Sequence, residues 1–209
     1  MIVYVESNFV LELALEQEQH AAVLEIKRLA ARQKVTLAIP ALALVEPFWT
    51  LIKNENALEV LTQQLDWWVH QLKRSREHKH LRRPELAEIA RSQRERLDGV
   101  VAGLVKVART IPLTSDILAQ ALIYQQSHAL EVFDAIMYAS VVANACSYER
   151  AIPKCFLDRD GDFLAHKAEL ERIGCRLIGS FEDGAKYIRH AISRQQNCAA
   201  VRGEDVRTR

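Results

Sequence analysis

The chain has 209 residues, 49% of them hydrophobic, which is enough to bury a substantial core and argues against disorder throughout. The 28 Lys and Arg almost cancel the 27 Asp and Glu, so net charge gives no indication of a nucleic-acid partner. The four cysteines form neither a CxxC pair nor a zinc-finger spacing, and no run of about 18 apolar residues without a charge occurs. We therefore expect reduced thiols, no membrane span and a cytoplasmic protein.

The first 53 residues alternate short apolar runs with helical patterns. Residues 2–5 and 35–39 are too short for helices and suit buried parallel strands. Apolar residues recur at helical spacing from 9 to 33 and again from 41 to 53. Pro47 is predicted to kink the second of these helical segments or to restart it.

Residues 54–110 show almost no strand pattern, and we predict a helical hairpin inserted into the domain, divided near Arg83-Pro84. Trp67 and Trp68 are expected to anchor this hairpin to the core, with stacking on nucleic-acid bases as the alternative.

Strands and helices alternate again in the last hundred residues. The predicted strands are 110–113, 155–157 and 176–178, and the predicted helices are 114–126, 130–148, 163–173 and 183–193. This alternation predicts an α/β fold in which a parallel β-sheet is sandwiched by α-helices. Residues 1–196 should form a single domain, and the polar residues 197–209 are predicted to be a disordered tail.

Acidic residues occupy positions where ligands of such a sheet are bound, beyond the carboxyl ends of the strands. Glu6 follows the first predicted strand, and the acidic turn of Asp158, Asp160 and Asp162 follows the strand 155–157.

Two further acids, Glu46 and Asp134, lie on helices among apolar neighbours, in LALVEPFW and LEVFDAIMYAS. A half-buried acid requires a partner. A divalent cation is a suitable one, because Mg²⁺ and Mn²⁺ prefer carboxylate oxygens and need only one or two of them.

Four segments resemble, in order, the acidic motifs of PIN domains: VYVESNFVL, PALALVEPF, FDAIMYAS and FLDRDGDF. The resemblance covers about residues 1–50 and 111–185. It implies a metal-dependent endoribonuclease, similar to the VapC-type toxins of toxin–antitoxin pairs, that uses Mg²⁺ or Mn²⁺. The implied metal ligands and catalytic residues are Glu6, Glu46, Asp134 and Asp160, with Asp162 as an accessory ligand and with Asn8 and Asp158 in support. The sequence departs from the family in having Glu6 where Asp is usual and Asp158 where Thr or Ser is common.

The resemblance also implies an RNA substrate, a possible antitoxin protein as partner and a homodimer. Residues 70–96 contain nine Lys or Arg and four Glu, a local charge of 9 − 4 = +5. The candidate RNA-binding residues in this segment are Lys73, Arg74, Arg76, Lys79, Arg82 and Arg83. The alternative is that these charges form a solvated helical surface.

Other interpretations stay open at this point. The protein could be a catalytically weak or inactive PIN-like module that binds RNA or protein, or else a metal-dependent phosphatase or DNA nuclease. Glu6 could simply cap a helix. Asp158, Asp160, Asp162 and Glu169 have the spacing of a calcium loop, but Phe163 replaces its required glycine. The seven histidines show no pair with a metal-binding spacing, so no zinc site is expected.

Overall fold

The computed structural model describes residues 1–75 and 86–205. The strands are β1 (Ile2–Val5), β2 (Thr36–Pro40), β3 (Arg109–Ile111), β4 (Lys154–Leu157) and β5 (Cys175–Ile178). The α-helices are α1 (Ser7–Leu15), α2 (His20–Ala31), α3 (Ala41–Leu72), α4 (Leu86–Val107), α5 (Ser115–His128), α6 (Val132–Cys146), α7 (Lys167–Arg172) and α8 (Phe181–Asp205). A short 3₁₀ turn, Leu164–His166, precedes α7.

The five strands form one parallel sheet in the order β3-β2-β1-β4-β5. The two central strands, β1 and β4, are buried along their whole length, as expected for a parallel sheet with helices on both faces. The predicted α/β fold with a helix-covered parallel sheet is confirmed, and this architecture is compatible with the PIN-like fold expected from the sequence.

Helix α3 continues through Pro47. Of the two outcomes expected there, a restart is excluded, because the helix runs without interruption from Ala41 to Leu72 with Pro47 inside it. Proline lacks one backbone N–H, and the loss of one hydrogen bond is tolerated where the helix is held by packing. Pro47, Leu44 and Leu51 are buried against the rest of the domain and provide that packing.

The expectation that Trp67 and Trp68 anchor the helices to the core is wrong. Both side chains are 58% exposed, and their rings contact each other edge to face with centroids 4.9 Å apart. The physical reason is the length of α3, whose buried residues all lie in its first half, between Ala43 and Leu51.

Helices α3 and α4 pack against each other, and an ion pair joins Arg94 to Glu55 at 3.3 Å. Helix α4 also packs against α1, and its Leu97 and Leu104 are fully buried in the core. The helical segment predicted as an insertion therefore contributes directly to the core of the domain.

Helix α8 continues to Asp205, so its last turns overlap the segment predicted to be a disordered tail. Within residues 1–75 and 86–205, no single helix has the length and hydropathy of a membrane span. Helices α5 and α6 have that length and hydropathy only when they are taken together, and the angle between them is 116°.

The packing of α4 leads to a stability prediction. Replacing Leu104 with Ala removes a fully buried side chain and should lower the free energy of unfolding by about 2–5 kcal/mol. The neighbouring Val105 on the same helix is exposed, and Val105→Ala should change the free energy of unfolding by less than about 0.5 kcal/mol. Urea denaturation of the two variants measures the difference. Equal, small effects would show that α4 does not belong to the core.

Candidate metal centre at the carboxyl edge of the sheet

The strand order determines where the sheet can bind a ligand. The chain passes from β1 outward to β2 and β3, and later returns to place β4 on the other side of β1. The point where the order reverses lies between β1 and β4, and ligands of open parallel sheets bind at the carboxyl ends of such strands. Glu6 follows β1 directly, and Asp158 follows β4.

Glu6 is only 5% exposed, and its two carboxylate oxygens accept hydrogen bonds from different donors. The backbone N–H of Arg159 donates to one oxygen at 2.8 Å, and the amide of Asn8 donates to the other at 3.1 Å. Glu6 occupies the N-cap position of α1, but its side chain makes no capping hydrogen bond. The helix-capping alternative therefore does not describe the side chain, which faces the turn after β4.

Asn8 connects this glutamate to the turn. Its amide nitrogen also donates to Asp160 at 2.7 Å, so one side chain bridges two of the predicted ligands. Burial raises the pKa of Glu6 to about 8; the charges of Asp158 and Asp160 add to the rise, and the hydrogen bonds from Arg159 and Asn8 oppose it. The buried position therefore favours the protonated form of Glu6.

Asp158 forms the turn that carries the other acids. It is completely buried, and its two oxygens accept the backbone N–H groups of Gly161 at 3.1 Å and Phe163 at 3.0 Å. Gly161 has a φ of 81°, which favours glycine at this point of the turn. Asp158 thus uses both of its carboxylate oxygens to hold the turn.

The ring of Phe163 ends the turn and fixes it to the core. It packs against Phe156 of β4 and Tyr138 of α6, with ring centroids 5.1 and 5.9 Å apart. Asp160 and Asp162 lie between the buried Asp158 and the buried Phe163, and both stay exposed. The turn therefore presents these two carboxylates to solvent from a rigid base.

Arg159 supplies a positive charge that sequence reasoning missed. Its guanidinium donates to the fully buried Glu12 at 2.5 Å and lies 3.3 Å from an oxygen of Asp160. Glu12 is the signal in the sequence that could have revealed this pair, because an acid inside the apolar face of α1 needs a cation. Arg159 thereby compensates part of the negative charge of the turn.

The remaining two predicted ligands, Asp134 and Glu46, come from helices. Asp134 is in the first turn of α6 and Glu46 is in α3, and both are half-buried. Burial, followed by the charges of Asp162 and Glu46, raises the pKa of Asp134 to about 6, and Asp158 contributes as well. Asp134 therefore lies within electrostatic range of both Glu46 and the turn after β4.

The donor set suits a hard cation, since every candidate ligand offers carboxylate oxygen. Among the residues that the structure describes, however, no three of these acids have ligand atoms within 4.8 Å of one another. The site is therefore open, and its exposed members Asp160 and Asp162 are those with room to move toward a cation.

The candidate RNA-binding residues are placed in part. Lys73 and Arg74 are exposed at the carboxyl end of α3, where Arg74 donates to Gln71. Arg76, Lys79, Arg82 and Arg83 lie outside the described residues, as do the histidines at 78 and 80.

Comparisons with known proteins give the following results. No protein-family model matches the chain, and no curated protein matches it significantly. Among solved structures, it is similar to the crystal structure of VapBC2 from Rickettsia felis bound to a DNA fragment from their promoter, at 12% identity and a TM-score of 0.40. The match covers 85% of this chain and 98% of the other.

The burial of Glu6 predicts how stability depends on pH. The pKa of this carboxyl is raised from an ordinary value of 4.5 to about 8 by folding, so the folded state holds the proton more tightly than the unfolded chain. Without metal, the stability due to the protonated form is complete below pH 4.5 and is lost as pH rises through 8.

Urea denaturation in the presence of a chelator, from pH 5 to 8.5, measures this loss. Glu6→Gln should flatten the decline, because Gln keeps an oxygen for Arg159 and does not ionise. Glu59→Gln changes an exposed acid on α3 and should retain the wild-type slope. Identical slopes in the wild type and Glu6→Gln would contradict the burial of an ionisable group at this position.

Proposed function

We propose that this protein is a metal-dependent endoribonuclease of the PIN type, which hydrolyses RNA phosphodiester bonds with Mg²⁺ or Mn²⁺ held by carboxylates. One observation supports the proposal: Asp158 acts on the carboxyl groups of both Glu6 and Asp134, and Glu46 acts on that of Asp134, so acids from four separate segments of the chain influence one another. Gathering like charges costs free energy, about 3 kcal/mol for two carboxylates ~5 Å apart at an effective dielectric of 20. A bound divalent cation would offset that cost.

The predicted ligands come from the sheet edge, the turn and two helices. Glu6 and Asp160, which Asn8 bridges, would hold a cation from the side of β1 and β4. Asp134 of α6, Glu46 of α3 and Asp162 of the turn would complete the set of ligands. The chemistry that Mg²⁺ or Mn²⁺ supplies in such sites is the activation of water and the stabilisation of the oxygen that leaves phosphorus.

Protonation limits the binding of a cation, because carboxylate ligands must lose their protons. Asp134 carries its proton below about pH 6, and Glu6 carries its proton below about pH 8. The affinity for the cation should therefore increase between pH 6 and pH 8. Asp158 and Asn8 would act as positioning residues, since both orient other acids.

The partners implied by the resemblance belong to the same proposal. The substrate would be RNA, approached in part through the exposed Lys73 and Arg74 at the end of α3. A toxin of this type would associate with an antitoxin protein and would form a homodimer.

Cleavage of a fluorescent single-stranded RNA tests the proposal. The wild type should cut it with Mg²⁺ or Mn²⁺ and be inactive with EDTA, and Asp134→Asn should lower the rate by at least about 100-fold. Asp116→Asn is a matched control, because Asp116 also lies in the first turn of a helix but is exposed and is not one of the predicted ligands. Equal rates in Asp134→Asn and the wild type would refute the assignment. A DNA strand of the same sequence, cut equally fast, would favour a DNA nuclease.

A second candidate function is a PIN-like binding module without catalysis. The observation that favours it is Glu6, which is buried and already accepts hydrogen bonds at both oxygens. If this module is the function, Mn²⁺ should raise the melting temperature and RNA should bind without being cut. Glu6→Asp then provides a direct comparison: a gain of cleavage in this variant would show that the longer side chain had silenced a nuclease site.

A further inference from the structure

A second group of metal-ligating side chains lies apart from the acids described above. It comprises His128 at the end of α5, His166 in the 3₁₀ turn and Glu169 in α7. Each residue offers one ligand atom, and all three atoms lie within 4.8 Å of one another. Among the residues with described placement, it is the one group of three His, Cys, Asp or Glu that meets this distance.

The contacts within the group already bring the ligands together. Nε2 of His128 lies 2.8 Å from a carboxylate oxygen of Glu169, and the rings of His128 and His166 have centroids 4.4 Å apart. A tetrahedral cation with bonds of about 2.0–2.1 Å has ligand atoms roughly 3.3 Å apart. The group therefore needs changes of side-chain angle only, without movement of the helices.

The surroundings also have the character of a metal site. The three side chains are half-buried, with His128 17% and Glu169 32% exposed, which leaves an approach for the ion and for one water ligand. The hydroxyl of Ser127 lies 2.7 Å from Nδ1 of His128 and so fixes the orientation of the ring.

A buried hydroxyl points to the same place. Tyr138 is completely buried, its ring contacts both His128 and His166, and its hydroxyl interacts with the carboxylate of Glu169 without reaching the geometry of a full hydrogen bond. Glu169 is the acid that acts most strongly on this hydroxyl. A carboxylate drawn into coordination through one oxygen would leave the other available to accept from Tyr138.

We propose that His128, His166 and Glu169 form a binding site for Zn²⁺ or a similar transition-metal cation, distinct from the acidic centre. Two imidazoles and one carboxylate are the ligands that Zn²⁺ accepts, whereas Mg²⁺ prefers oxygen alone. Sequence patterns did not reveal this site, because His128 is far along the chain from the His-x-x-Glu segment that contains the other two ligands. The spacing of His166 and Glu169, three residues apart at the start of a helix, was the available signal.

The site has a structural consequence for its neighbour. The backbone N–H of His166 donates to the carbonyl of Phe163, and the N–H of Phe163 donates to Asp158. A cation at His128, His166 and Glu169 would therefore connect α5 to the base of the turn that carries Asp160 and Asp162. Its role would be to hold that turn in place, and its existence does not depend on the nuclease activity.

Titration of the full chain, prepared without a histidine tag and freed of metal, tests the proposal with Zn²⁺ and Co²⁺ as probes. Calorimetry should show one Zn²⁺ per chain at this site, and Co²⁺ should develop the visible absorption of a low-coordinate site. His166→Ala and Glu169→Gln should each weaken binding by more than about 100-fold, and Tyr138→Phe by about tenfold. Zn²⁺ should also raise the melting temperature of the wild type.

Two controls separate this site from other sources of binding. His190→Ala removes an exposed histidine of α8 and should leave the affinity unchanged. Asp134→Asn alters the acidic centre and should also leave unchanged the Zn²⁺ affinity of the site formed by His128, His166 and Glu169. Glu169→Gln keeps a side chain of the same size, so wild-type affinity in this folded variant would overturn the proposal. Absence of Zn²⁺ binding to the wild type, or its loss in Asp134→Asn alone, would overturn it as well.

Discussion

The parallel pairing of β1 with β4 is the constraint on which the candidate centre depends. Val5 lies opposite Leu157 in the register of these strands, so the next residues, Glu6 and Asp158, leave the sheet side by side. Pairing with either strand displaced by one residue would turn these side chains to opposite faces. The order of the strands thus brings together acids that are about 150 positions apart in the chain.

This juxtaposition has an electrostatic cost, which the protein offsets in three ways. The raised pKa of Glu6 favours its uncharged form. Asp158 uses both oxygens to accept backbone N–H groups of the turn. Arg159 places a cation between Glu12 and Asp160. Asp134 keeps a raised pKa and has no described cationic partner in its surroundings, which is why a divalent ion at this edge would be most stabilising there.

Much of the fold follows from the sequence pattern. The four-residue run Ile2–Val5 and the run ending at Leu157 were predicted as buried strands, because apolar segments of this length cannot form a helix that spans the domain. A helix was predicted to begin at residue 114, and the hydroxyl of Thr114 does accept a hydrogen bond from the backbone N–H of Ile117 at the start of α5. These features depend on neighbours in the sequence, and local rules are sufficient for them.

The features that the sequence did not predict depend on contacts between distant segments. Whether Trp67 is covered depends on where α3 ends relative to the sheet, and whether Pro47 breaks the helix depends on the packing around it. The meeting of His128 with Glu169 requires the positions of α5 and α7. Glu6, Asp134 and the acidic turn were proposed as partners from family resemblance, and their roles as ligands remain predictions that the geometry makes testable.

The most direct test of the central claim is the binding of Mn²⁺, followed by electron paramagnetic resonance, in which free Mn²⁺ gives a signal that diminishes on binding. At pH 8, the wild type should remove one or two Mn²⁺ per chain from solution, whereas Asp134→Asn, Glu46→Gln and Asp160→Asn should each bind markedly less. If the wild type leaves the free signal unchanged, or if all three variants bind as the wild type does, then these acids do not form a common metal centre.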